Sequence, residues 1–309
     1  IGYDCRFEGK MFAEYAARVL GDNGLKVYMA PNFVSTPMVS LGVVKLGANM
    51  GIVITASHNP PSYNGFKLKS SYGGPTAPSE AEEVEAIIPD VGIKNLKTIN
   101  ELLESNSLEY VDLEEMYLKH IEQGFDLSMI QKAGKNLVFD AMFGAGQNIM
   151  KRLFPDAKLL HCEFNPSFLG RAPEPIQRNL PEISDLLKNN SNYTIGIAND
   201  GDADRIGLFD EDGNFVDSHH ILLLLLYYLV EFKKLTGKVV ITFSVTVKMK
   251  KLAEIYGLDC EVTKIGFKYI AEIMTKEDVL VGGEESGGLA VKGHIPERDG
   301  VWIGLMVME

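Results

Sequence analysis

Three short stretches concentrate the residues whose types and spacing could do chemistry. In the first, Ile52-Val53-Ile54-Thr55-Ala56-Ser57-His58-Asn59-Pro60, a run of β-branched apolar residues stops abruptly at a serine. Ile52 to Thr55 lacks polar alternation and reads as a buried strand, which Asn59, Pro60, Pro61 and Asn64-Gly65 cannot continue. A strand thus delivers the Ser57 hydroxyl to a loop with His58 beside it, although a Ser-His pair alone is also an ordinary strand-end turn. The second stretch is Asn199-Asp200-Gly201-Asp202-Ala203-Asp204-Arg205, between the apolar segments Tyr193 to Ala198 and Ile206 to Phe209. Carboxylates this close raise one another's pKa unless a cation sits among them, so the set suits a hard divalent ion held by oxygen. A calcium EF-hand is excluded, because apolar strands flank the loop and Gly207 and Leu208 stand where ligands should be; an acidic surface turn is the alternative. In the third, Gly282-Gly283-Glu284-Glu285-Ser286-Gly287-Gly288, paired glycines allow close backbone approach, and Glu with Ser supplies acceptors and a donor suited to sugar hydroxyls. Alone, that stretch is more often a Gly-rich hairpin than a binding loop.

The elements ahead of each stretch follow one order. Strand, helix, strand, helix and strand are expected at Ile1 to Asp4, Phe12 to Leu20, Lys26 to Met29, Pro37 to Leu46 and Ile52 to Thr55. The same order returns from Asn136 to Ala198 and from Lys238 to Val281, which makes an internal repeat. Strands alternating with helices imply βαβ units, and open α/β sheets bind ligands at the carboxyl ends of their strands. The expected fold is therefore α/β: three similar domains with mixed, mostly parallel sheets around a central cleft. The domains are expected over 1–129, 130–236 and 237–309, with a helix over Leu108 to Ile121 and a polar boundary near Gly124 to Gly134. Pro166 to Pro181 reads as a rigid connection without chemistry, Asp4 with Arg6 as a structural pair, and His219 with His220 as a helix start.

Composition narrows the class. With 30 basic and 42 acidic residues the net charge is −12, which argues against nucleic acid and anionic membranes as partners. Cys5, Cys162 and Cys260 have neither CxxC nor zinc spacing, so buried thiols in a reducing compartment, the cytoplasm, are expected. The most apolar run, Ile221 to Val230, is about half of the roughly 20 residues a bilayer span requires.

Taken in order, Thr55-Ala56-Ser57-His58-Asn59-Pro60 with Tyr63-Asn64-Gly65-Phe66-Lys67, Asp200-Gly201-Asp202-Ala203-Asp204-Arg205, and Gly283-Glu284-Glu285-Ser286-Gly287 resemble the α-D-phosphohexomutases, the phosphoglucomutase and phosphomannomutase family. Thr263, Gly266, Phe267 and Lys268, with His294 to Gly300, look closest to the phosphoglucomutase-like branch. The resemblance implies a phosphoserine at Ser57 and Mg²⁺ held by Asp200, Asp202 and Asp204 with the Ser57 phosphate as a further ligand. It also implies a bisphosphorylated intermediate such as glucose 1,6-bisphosphate. Lys67 or His58 would be the general base, the former with a pKa depressed by burial, and Arg205 would orient the phosphoryl group. Glu284 and Ser286 would hold the sugar's 3- and 4-hydroxyls, and Thr263, Gly266, Lys268, His294 and Arg298 complete the expected substrate site. Gly288 stands where dual-specificity phosphomannomutases place a histidine, which tilts the substrate toward glucose over mannose and leaves a pentose phosphate as an alternative. The expected protein is a monomer or homodimer. It is expected to lack the family's opening segment and its fourth, phosphate-binding domain, which leaves a sugar-phosphate-binding remnant or a metal-dependent phosphatase as alternatives to a mutase.

Overall fold

The computed structural model describes residues 1–90, 92 and 95–309. The first unit carries β1 (Gly2–Tyr3), β2 (Val27–Met29), β3 (Met50–Ile54), β4 (Phe66–Ser70), β5 (Gly74–Pro75) and β6 (Leu108–Tyr110). β1 runs parallel to β3, which hands over to antiparallel β4 and β5, while β2 pairs parallel with β6. Backbone bonds from Ala30 N–H to Ile1 O and from the Ile1 amino group to Tyr28 O, 2.9 and 2.6 Å, set β2 against the start of β1. The second unit has β7 (Leu137–Asp140), β8 (Lys158–Leu160), β9 (Ile195–Asn199), β10 (Ile206–Phe209) and β11 (Phe215–Val216), in the order β11-β10-β9-β7-β8. The third has β12 (Lys238–Thr242), β13 (Cys260–Thr263), β14 (Val279–Gly283) and β15 (Leu289–Val291), in the order β13-β12-β14-β15.

One plan thus recurs. The first strand of each unit is parallel to the third, and the third turns into an antiparallel return. The three chemically marked stretches occupy that same turn, β3 to β4, β9 to β10 and β14 to β15. The α/β class with mixed sheets is as the periodicity predicts.

Helices complete the layers. In Gly9–Asp22 the buried residues Gly9, Ala13, Ala17 and Gly21 recur every fourth position, the spacing of one helical face. Ser35 opens Thr36–Lys45 by accepting from Met38 N–H, with Pro37 in the first turn. The apolar run 221–230 lies in Ser218–Glu231, whose Asp217 cap accepts from His220 N–H. Among the described residues no helix is long and apolar enough to cross a membrane. The largest buried cluster draws on all three units, including Met38 and Val53, Phe139 and Ile206, and Val239, Val281 and Ile303.

Two expectations are corrected. Leu108 to Ile121 is not one helix: Leu108–Tyr110 is β6, and the helix Leu113–Gly124 begins where the Asp112 carboxylate caps Glu115 N–H. The segment expected as a polar boundary holds a second helix, Leu127–Gly134, capped by Asp126 and anchored by fully buried Ile130. Cys5 and Cys162 are buried, whereas Cys260 is half-buried.

Candidate active site

The serine turn is held open from below. Ser57 is buried with a left-handed backbone, φ 53°, a conformation costing a non-glycine residue about 1–2 kcal/mol. Arg6 imposes it. Its Nη1 donates to the carbonyls of Pro60 and Tyr63, both at 2.9 Å, and its Nη2 to those of Ser57 and Asn59, both at 2.6 Å. The guanidinium lies over the Phe168 ring, 5.2 Å from its centroid. Behind it, Asp4 faces Arg6 Nε at 3.3 Å and accepts the Thr55 hydroxyl at 2.6 Å. Burial pushes the Asp4 carboxyl up to about 7 against the pull of Thr55 and Arg6. So fixed, the Ser57 hydroxyl donates to Asp200 Oδ2 at 2.7 Å, with His58 Nδ1 3.4 Å away. Burial and then Arg205 lower the His58 pKa.

Asp200, Asp202 and Asp204 are all fully buried, and one oxygen from each lies within 4.8 Å of the others. Asp202 Oδ2 accepts from the Thr36 hydroxyl at 2.6 Å and from Lys67 Nζ at 3.2 Å. Asp204 Oδ2 is bonded by Arg298 Nη2. Asp202 Oδ1 and Asp204 Oδ1 have no hydrogen-bond partner although both are buried, the latter only facing Arg205 Nε at 3.9 Å, and carboxylate oxygens left without hydrogen bonds inside a protein are costly. The donor set therefore fits a hard divalent cation. Burial, then Asp202 and Asp204, push Asp200 well up; burial acts the same way on Asp202, but Lys67, Thr36 and Arg298 outweigh it and hold that carboxyl below the usual range. Gly201 lets this loop meet the serine turn, since a Cβ there would lie 2.5 Å from Ser57 O.

The third turn joins the second through backbone. Ile206 N–H donates to Gly287 O at 3.2 Å, and Arg205 bridges Gly288. Glu284 is buried and accepts from Gly266 N–H at 2.9 Å and from Arg298 Nη1 at 3.4 Å. Lys67, Arg205, Glu284, Gly266 and Arg298 are therefore brought to one place. Ser286 is exposed at the tip of the same turn. Lys268 lies in the first turn of the next helix, Phe267–Lys276, with Nζ 5.4 Å from the Tyr269 ring centroid, and Thr263 turns its hydroxyl to Lys264 O at 3.0 Å.

Two expectations change here. His294 does not face the cleft: its side chain is 1% exposed, and its Nδ1 and Nε2 are taken by His120 Nε2 at 3.1 Å and Asp299 at 2.9 Å. Its ring is stacked on Trp302, 4.1 Å between centroids, so it cannot reach a sugar. Lys67 is shifted up rather than down, because burial alone would lower it but Asp202 and Asp204 prevail. Sequence reasoning also missed the carbonyl clamp of Arg6 and the Thr36 hydroxyl. Thr36 shows only as a helix-start residue beside Pro37, and its partner lies in another unit.

The chain matches Phosphoglucomutase/phosphomannomutase, alpha/beta/alpha domain I over residues 1–92, domain II over 115–213 and domain III over 217–309. It is 34% identical to a phosphoglucosamine mutase of Methanococcus maripaludis, over all of this chain and 68% of that protein. A Thermus thermophilus protein described as a phosphomannomutase superposes with TM-score 0.88 at 35% identity, over 99% of this chain and 69% of that one. The open form of parafusin, a Paramecium phosphoglucomutase, shares the fold at 22% identity and TM-score 0.84, over 99% of this chain and 62% of that one. Three domain matches in sequence order, on a repeat whose equivalent turns meet around a serine and three aspartates, mean that the chain belongs to the phosphoglucomutase/phosphomannomutase family of mutases.

Proposed function

We propose that the chain is a phosphohexomutase that moves phosphate between the 1- and 6-positions of an α-D-hexose of the gluco series, through a phosphoserine at Ser57 and a bisphosphorylated sugar. The observation that carries this reading is the Ser57 hydroxyl 2.7 Å from Asp200, at a triad that Arg298 also joins to Glu284 of the neighbouring turn. Each of the three units contributes one turn.

Asp200, Asp202 and Asp204 would hold Mg²⁺, which when bound supplies Lewis-acid neutralisation of a phosphoryl oxygen. The hydroxyl of a hexose monophosphate forms its new O–P bond as the Ser57 Oγ–P bond breaks. After the bisphosphate turns round, the serine takes back the other phosphoryl group. Such transfer needs positioning and charge compensation above all. Lys67 and Arg205 supply that charge, while His58 Nδ1 accepts and returns the hydroxyl proton. Glu284 and Ser286 hold the 3- and 4-hydroxyls in both orientations.

Glucose phosphate is the first substrate, since Gly288 offers no side chain where phosphomannomutases place a histidine. The identity with phosphoglucosamine mutases supports glucosamine phosphate as a second reading, because that sugar keeps the 3- and 4-hydroxyls and differs only at carbon 2. The test is incubation with glucose 1,6-bisphosphate and Mg²⁺, followed by intact mass and by assay of both 1-phosphates. One phosphoryl group on Ser57 and the matching 6-phosphate are expected, with both lost in Ser57→Ala and without Mg²⁺. Inorganic phosphate released with no 6-phosphate, or turnover surviving in Ser57→Ala, would overturn the reading.

A further inference from the structure

Arg298 and Gly288 stand in a relation that neither sugar binding nor metal binding alone explains. The Arg298 guanidinium spans two turns, with Nη2 on Asp204 Oδ2 and Nη1 3.4 Å from Glu284 Oε2. Its carbon stem crosses Gly288 so closely that a Cβ there would lie 2.3 Å from Arg298 Cδ and 3.2 Å from Cγ. Real Cβ atoms do not approach that far. The stem cannot simply swing aside, because both ends of the side chain are fixed. Its guanidinium is tied to two carboxylates and lies 5.6 Å from the Phe267 ring centroid. Its backbone N–H donates to Glu297 Oε1 at 3.2 Å, and Glu297 is itself buried against Lys69 and Ser40. Just beyond, Gly300 N–H donates to Ala203 O at 3.1 Å, which pins the same loop to the aspartate turn.

The geometry points to Arg298 as a positioning residue that locks the aspartate turn to the glutamate turn, with Gly288 as the gap it requires. This rests on the proposed function and assigns the bridge a task within it. Arg298 occupies one oxygen of Asp204 and leaves Oδ1 buried without a hydrogen-bond partner, 3.9 Å from Arg205 Nε, so that oxygen is held in a fixed direction. Partners of that kind orient metal-binding carboxylates, and their loss typically weakens metal affinity about 10–100-fold. At its other end Arg298 fixes one oxygen of Glu284 while Gly266 N–H fixes the other. A side chain at 288 and the present course of Arg298 therefore exclude each other.

The test compares Arg298→Met, Gly288→Ala and the double variant by calorimetric titration with MgCl₂, and by saturation with glucose 1-phosphate. Arg298→Met should lose about 10–100-fold in Mg²⁺ affinity and also raise the KM for glucose 1-phosphate. Gly288→Ala, which deletes no functional group, should move both quantities in the same direction, and the double variant should be no worse than Arg298→Met, the non-additivity expected when one residue acts through the other. If Arg298→Met does not fold, Gly288→Ala carries the comparison alone. Unchanged Mg²⁺ affinity in a folded single variant, or additive losses in the double, would overturn the bridge while leaving the mutase reading intact. An unsubstituted protein that binds no Mg²⁺ would overturn both.

Discussion

Replacing Arg6 with lysine removes the planar fork while keeping the charge. In the native chain four carbonyls, those of Ser57, Asn59, Pro60 and Tyr63, accept from its two terminal nitrogens at 2.6 to 2.9 Å. An ammonium is a single point and can serve one of those pairs. Two carbonyls in the serine turn then lose their donors, at about 1–3 kcal/mol each where water does not reach them. A loss of about 4 kcal/mol corresponds to a melting temperature lower by roughly 8–16 °C, at ~2–4 °C per kcal/mol for a large domain. The functional effect is sharper. Once the clamp is gone, the left-handed backbone of Ser57 relaxes, and its hydroxyl moves off Asp200. A misplacement of about 1 Å costs on the order of 10²-fold in a positioned reaction. Thermal unfolding checks the first figure, and the rate of phosphoryl incorporation from glucose 1,6-bisphosphate, followed by intact mass, checks the second. A melting temperature within about 2 °C of the native protein, together with an unchanged incorporation rate, would refute the clamp.

Two other perturbations separate packing from charge. Gly201→Ala places a Cβ 2.5 Å from Ser57 O; backbone must move, so a loss of about 1–3 kcal/mol and slower phosphorylation of Ser57 are expected, and native behaviour in both assays would count against contact between the two turns. The His120 stack predicts acid sensitivity. Burial, then the charge of His294, lower the His120 pKa to about 4, and the buried Nδ1 has no hydrogen-bond partner to favour the protonated ring. The unfolded chain then takes up that proton first, so stability is full above about 6.5 and declines as pH falls toward 4. With solvent screening of this partly exposed ring, the loss is on the order of 1–2 kcal/mol. Chemical denaturation across that pH range should show a shallower decline for His120→Phe, and equal slopes would rule the stack out as the cause.

The succession of elements along the chain and the three turns were legible because each turn announces itself locally, by a β-branched run that ends in serine, by alternating aspartates, or by paired glycines around glutamate. What escaped depends on distance through space. The four partners of Arg6 are carbonyls, which every residue has, so no side-chain pattern marks them. Lys67 sits 3.2 Å from an aspartate far along the chain, and that separation reversed the sign of its expected pKa shift. His294 lies within a motif and yet faces inward, since Trp302 and Asp299 follow it closely enough to enclose its ring. The strand β6 was hidden because its partner β2 lies far upstream and its three residues run straight into a helical pattern.

The largest buried cluster has a consequence for how the molecule comes apart. Each unit has a smaller buried cluster of its own, but this one takes side chains from all three units, so each unit packs one of its faces on its neighbours. An isolated unit would expose faces that its neighbours now cover, so melting should proceed as one cooperative transition instead of three independent steps. The relative placement of serine, aspartates and glutamate is then inherited from global folding, and a lesion in any one unit is felt at all three turns.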